Sequence, residues 1–101
     1  MGKVKFSVQY EIDSTKRDEF LIAIKELRTF LKVDGLLSYS VYEIKGKANN
    51  FEEVYVFSSK ETYDNYDDGE NERMQILISK IEDLKVPSTT KYNTLYEVVF
   101  E

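Results

Sequence analysis

The chain has 101 residues, 42% hydrophobic and 33% charged, with a formal net charge of −5, which gives one globular domain outside the disordered range. Its Lys and Arg are interspersed among Asp and Glu, so the clustered positive footprint that a nucleic acid needs is absent. Cysteine and histidine are both missing, which excludes a thiolate nucleophile, a disulfide, a zinc site built on those ligands, a His general base and a His or Cys haem ligand.

The first strand is expected over residues 3–12. Val4, Phe6, Val8, Tyr10 and Ile12 alternate on one face with Lys5, Ser7, Gln9 and Glu11 on the other. Asp13 and Ser14 offer an N-cap for a helix running to about Lys32. Phe20, Leu21, Ala23, Ile24, Leu27, Phe30 and Leu31 form its apolar stripe, and Asp34-Gly35 is expected to end it. Strand two covers about 36–45, with Leu37, Tyr39 and Val41 opposite Ser38, Ser40, Tyr42 and Ile44; the pattern leaves open which set faces the core. Residues 46–50 read as a hairpin loop, and strand three follows over about 51–58. Its run Val54-Tyr55-Val56-Phe57 is apolar on both faces, as in a strand covered on both sides.

A capping box of Ser58 with Glu61 is expected to open the second helix. That helix carries Tyr63 and Tyr66, breaks at Asp67-Asp68-Gly69, and resumes through Met74, Leu77, Ile78, Ile81 and Leu84 until Pro87 stops it. A final strand over about 90–101 alternates Tyr92, Thr94, Tyr96, Val98 and Phe100.

This order, βαββαβ, is an α+β split fold of the ferredoxin-like type: one domain over 1–101, a four-stranded antiparallel sheet and two helices on one face. Right-handed crossovers put strands one and three in the centre. The second sheet face then carries apolar residues that the helices cannot cover, and strand four is a long edge with few blunting features. A homodimer through the sheet faces and strand four is the expected assembly. A monomer with a solvated face is the alternative that Lys5, Ser7, Gln9 and Glu11 permit.

The acidic group Asp64, Asp67, Asp68, Glu70 and Glu72 has partial calcium-loop spacing but fails it at Tyr66 and Gln75, so no metal is expected. The polar stripe on strand one reads as pairing or solvation, and Arg28 and Arg73 as surface charge. No apolar run approaches the roughly 18 residues of a membrane span. Met1-Gly2-Lys3-Val4 enters a strand with no apolar signal core, so a cytoplasmic protein without a membrane partner is expected.

Four segments carry a family resemblance: Phe6-Ser7-Val8-Gln9-Tyr10, Lys16-Arg17-Asp18-Glu19-Phe20, Asp34-Gly35-Leu36-Leu37-Ser38-Tyr39, and Val54-Tyr55-Val56-Phe57-Ser58-Ser59-Lys60-Glu61-Thr62. With these the chain resembles the antibiotic biosynthesis monooxygenase-like (ABM) family of dimeric α+β barrels. That family includes cofactor-independent monooxygenases acting on aromatic polyketides and enzymes that degrade haem. The haem-degrading members' Asn, Trp and His fall at Val8, Phe57 and near Ile76, so the resemblance implies no haem degradation and no cofactor. A His common early in the family's second helix falls at Tyr66, and its Glu-x-Trp pattern becomes Tyr55-Val56-Phe57.

The resemblance places a ligand cleft between helices and sheet, with Phe6, Val8, Tyr10, Tyr55, Phe57, Tyr63 and Tyr66 as candidate lining. Such aromatic walls with a few hydroxyls suit a small apolar or aromatic molecule. If catalytic, the protein is expected to resemble a cofactor-independent monooxygenase, with Tyr10, Tyr55 and Tyr66 positioning a phenolic or enolic substrate. The alternative is a non-catalytic dimeric interaction or stress-associated domain. In that case the tyrosines simply pack, and Phe30, Met74 and Leu77 fill the cleft.

Overall fold

The computed structural model describes residues 2–66 and 71–100. Strand β1 (Val4–Glu11) leads through a 3₁₀ turn (Ser14–Lys16) into helix α1 (Arg17–Leu27). Strands β2 (Leu36–Glu43) and β3 (Asn50–Phe57) form a hairpin, followed by a short helix α2 (Lys60–Asp64), helix α3 (Glu72–Leu84) and strand β4 (Lys91–Tyr96). The sheet order is β2-β3-β1-β4, with every pairing antiparallel. The protein is therefore an α+β, ferredoxin-like fold, with β1 and β3 central as their connections require.

The alternation of β1 buries Val4 and puts Val8, Tyr10 and Ile12 in the core, where they meet Phe20, Ala23, Ile24 and Leu27 of α1 and Met74, Leu77, Ile81 and Leu84 of α3. Pairing carries this parity across the sheet. Phe6 lies opposite Tyr55, Val8 opposite Glu53 and Tyr10 opposite Phe51, while Tyr39 lies opposite Tyr55. The ambiguity of strand two is resolved by that register: Tyr39 faces the helices, and Tyr42 faces the other side, 58% exposed. Arg73 clamps Glu26 with Nε and Nη2, at 2.6 and 2.7 Å, tying α3 to α1.

The structure corrects several local expectations. Helix α1 ends at Leu27 and tightens into a 3₁₀ turn over Arg28–Phe30, short of Lys32. Gly35 serves a different purpose from the expected C-cap. It has φ +87°, and a Cβ there would come within 2.6 Å of the Thr62 side chain. Leu21 points outward from the expected stripe, 42% exposed.

The cap of α2 is Ser59 rather than Ser58. Ser59 Oγ accepts from the Thr62 amide at 3.2 Å, and Thr62 Oγ1 accepts from the Ser59 amide at 3.1 Å. The reason is tertiary: the Ser58 amide already donates to the Gly35 carbonyl at 2.8 Å and cannot serve a Glu61 carboxylate. Instead of one interrupted helix there are two, α3 having its own cap in Asn71, whose Oδ1 accepts from the Met74 amide at 3.0 Å. The expected break at Asp67-Asp68-Gly69, and with it Glu70, lies outside the described residues. Strand β4 stops at Tyr96, so Val98, Val99 and Phe100 lie beyond it.

Candidate functional site

The helical cover of the sheet has a gap. Along β1, Val4, Val8 and Tyr10 are buried, but Phe6 between them is only half-buried. Above Phe6 the cover is α2, a single five-residue turn of helix held to β4 by two side-chain contacts. The Tyr63 hydroxyl lies 3.2 Å from Thr94 Oγ1, and Lys60 Nζ sits 5.1 Å from the Tyr96 ring centre. Beneath it is a cavity of about 430 Å³ lined by Phe6, Tyr55, Phe57, Tyr63, Asp64 and Tyr66.

Its walls are a continuous aromatic array. Tyr63 and Tyr66 stand edge-on to Phe57, with ring centres 5.4 and 5.3 Å away. Tyr55 is 5.7 Å from Phe6 and stacks nearly parallel to Phe57 at 6.3 Å. Rings in these offset and edge arrangements hold one another in place through their quadrupoles. The size and lining lie within the range of small-molecule sites, which are mostly apolar with a few convergent polar groups.

Five of the residues named from the sequence thus meet in one cavity: Phe6, Tyr55, Phe57, Tyr63 and Tyr66. Two do not. Val8 packs in the core, and Tyr10 is 1% exposed beneath α1 with its ring edge-on to Phe20. Placing Tyr10 on a substrate is therefore corrected: its hydroxyl is committed to the interior.

The partner of that hydroxyl is Glu53, which the sequence reading did not single out. Glu53 is 6% exposed, and its carboxylate accepts from Tyr10 at 2.6 Å on Oε2 and from Tyr39 at 2.6 Å on Oε1. Tyr55 adds a longer bond of 3.4 Å to Oε1. A carboxylate in the interior is costly unless its lone pairs are met, and three phenols from three adjacent strands meet them. Burial first, and the Glu53 charge second, push the Tyr10 and Tyr39 hydroxyls well above the usual phenol range, so both stay protonated donors. Lys85, its side chain only 8% exposed, lies 4.2 Å over the Tyr10 ring and pairs with Glu82. The available signal for Glu53 was parity, since it shares a face with Phe51, Tyr55 and Phe57.

A second recess of about 520 Å³ runs between α1 and β2. Arg17 and Glu43 span part of it in a bidentate pair, Arg17 Nη2 donating to Glu43 Oε1 at 2.8 Å. Among the described residues no cluster of three acidic, His or Cys side chains could hold a metal ion, and no helix is long and apolar enough to cross a membrane.

No family model and no curated protein matches the chain. Solved structures do. A Nitrosomonas europaea protein named provisionally as an antibiotic biosynthesis monooxygenase superposes with a TM-score of 0.80 at 10% identity, covering 97% of this chain and 93% of its own. A Caulobacter crescentus protein of the same provisional name gives 0.79 at 13% identity over 97% and 92%. SnoaB of Streptomyces nogalater, described as a cofactor-independent oxygenase, gives 0.71 at 12% identity over 92% and 90%.

The chain has the fold of the antibiotic biosynthesis monooxygenases. The ABM-like resemblance of its segments and the superposition agree on this fold over nearly the whole length, and at these identities the likeness is one of fold.

Proposed function

We propose that this protein binds a small flat aromatic molecule in the cavity between α2 and the sheet. The observation that carries this reading is a half-open recess of about 430 Å³ lined by five aromatic side chains with Asp64. A flat ligand would stack on rings already held in place, which lowers the ordering cost of binding. Met74 and Leu77 pack into the core instead of filling this space, which favours a ligand over the interaction-domain reading.

The chemistry such a complex would support is that named for SnoaB, cofactor-independent oxygenation. With no cofactor, the bound aromatic must itself supply electrons to oxygen. Of the lining tyrosines, Tyr55 would orient its oxygen substituents, since the Tyr66 hydroxyl oxygen is buried within the wall.

The assembly proposed is a homodimer through the sheet face opposite the helices. That face carries the half-buried Val56 and Leu95, the latter 47% exposed, beside an edge strand β4 whose residues are all exposed. Packing two such faces together would remove apolar surface from water at both.

The test is a thermal-shift screen against hydroxylated naphthalenes, anthrones and quinones, with oxygen uptake and light scattering in parallel. A ligand at a hundredfold excess over its Kd adds about 2.7 kcal/mol of stability, a clear rise in Tm. Tyr63→Ala should abolish the shift. A screen without a hit would remove the ligand reading, and a monomer by light scattering would remove the dimer.

A further inference from the structure

We propose that the recess between α1 and β2 is a second ligand site, one that takes a free fatty carboxylate: an aliphatic chain ending in one anionic head. The inference is independent of the aromatic cavity, which lies beneath α2 and shares no lining residue with this recess.

The recess, of about 520 Å³, has an apolar lining in which Ile24 and Phe51 are buried and Val41 is half-buried. Leu21 lines it too, turned away from the core and 42% exposed. A further recess of about 470 Å³ adjoins it, sharing Arg28 and Tyr39 and adding Val33 and Leu37, 41% and 56% exposed. Three exposed aliphatic side chains thus border one continuous groove, and covering them removes apolar surface from water. Tyr39, in the shared wall, is fixed by its 2.6 Å bond to Glu53, so this part of the groove is formed before a ligand arrives.

The polarity of the ligand follows from the charges. Lys25, Arg28 and Lys32, spaced three and four positions apart, line the groove from the α1 side. None of them makes an ion pair among the described residues, whereas Arg17, Arg73 and Lys85 all do. Arg17 is a wall rather than a free cation: it donates to Glu43 at 2.8 Å and lies 5.4 Å from the Phe51 ring centre. The carboxylates nearby do not compensate the row, since Glu43 is taken by Arg17 and Asp34 lines only the adjoining recess. In a chain of net charge −5, these unpaired cations mark a local site for an anion. Arg28 lines both recesses, so a carboxylate paired with its guanidinium has Lys25 and Lys32 to either side and Ile24 and Phe51 available to its chain.

The experiment measures by titration calorimetry the affinities of decanoate, below its micelle concentration, and of decanol. These probes share a chain length and differ in charge. Wild type should favour decanoate by about tenfold, the worth of one hydrogen bond to a charged group, and the preference should shrink with added salt. The double variant Lys25→Gln, Arg28→Gln should bring the ratio close to one while still binding decanol, which a merely structural loss would not do. Leu21→Asn should weaken both probes, and Tyr63→Ala, in the aromatic cavity, should weaken neither. All these side chains except Tyr63 are exposed, and circular dichroism checks each fold.

A wild type that binds no decanoate, or a preference that survives the double variant, overturns the inference and leaves the aromatic cavity as it stands. Decanoate binding lost in Tyr63→Ala but kept in the double variant overturns it by assigning the probe to the aromatic cavity. An alternating Asp-Leu peptide that binds where decanoate does not reassigns the groove to a protein partner. A fall in light-scattering mass on Leu21→Asn reassigns it to a second copy of this chain.

Discussion

The Tyr10 hydroxyl reaches diagonally across two central strands to Glu53, donating to Oε2 at 2.6 Å in a region where neither residue is more than 6% exposed. Tyr10 lies opposite Phe51, so the bond links it to the next core-facing position along β3. Diagonal neighbours of this kind are within reach of a long aromatic side chain. The bond ties the sheet's apolar face to a single charged group.

Removing that hydroxyl tests the tie. Tyr10→Phe keeps the ring under Lys85 and deletes only the donor. The variant should lose about 1.5–3 kcal/mol, the usual worth of a hydrogen bond to a charged group, measured by urea unfolding with an unchanged m-value. Tyr39→Phe should behave alike. Because both serve one carboxylate, the double variant should depart from additivity.

The same cluster sets the alkaline limit. The ordinary phenol value is 10.0, and the folded protein holds Tyr10 and Tyr39 above it. Below that pH both groups are protonated in either state and contribute no slope. Above it the unfolded chain releases their protons while the folded chain retains them, so stability falls as pH rises. Urea midpoints measured at steps above about pH 10 should fall in the wild type and less steeply in Tyr10→Phe and Tyr39→Phe.

Acid stability has its own reporter. The bidentate hydrogen bonds from Arg17, with the Asn49 amide second, lower Glu43 from its ordinary 4.5 to about 2. A lowered carboxyl contributes stability that is complete above pH 4.5 and is lost as the pH falls toward 2. Arg17→Gln should flatten the melting temperature against pH within that window. An identical acid limb in the variant would assign the loss to other groups.

Gly35 and Gly46 separate backbone strain from steric contact. Both have positive φ, +87° and +82°, but only Gly35 has a neighbour, the Thr62 side chain 2.6 Å from where a Cβ would sit. Thr62 is held by the α2 cap and cannot withdraw freely. Gly46→Ala should cost about 1–2 kcal/mol for the left-handed conformation alone. Gly35→Ala should cost about 1–3 kcal/mol more through overpacking, measured by denaturant unfolding.

The sequence by itself determined the element order, the central place of β1 and β3, and the core face of β1. Strict alternation from Val4 to Ile12 is a local property, and right-handed crossovers leave few topologies for two βαβ halves. Tertiary structure decided what depends on partners far along the chain. Glu53 beside Glu52 reads as one of two surface carboxylates, and only its register opposite Val8 and Val41 places it in the core among three phenols. Ser58 and Ser59 are equivalent caps until Gly35 claims the Ser58 amide. Tyr39 and Tyr42 became distinguishable once Tyr39 paired with Tyr55. Tyr10 was legible as a core-facing residue, yet its removal from the cavity was not, because that required knowing that a buried carboxylate 43 positions away would take its hydroxyl. Local periodicity chooses a face for each strand, but the address of a buried charge is set by the non-local donors that satisfy it.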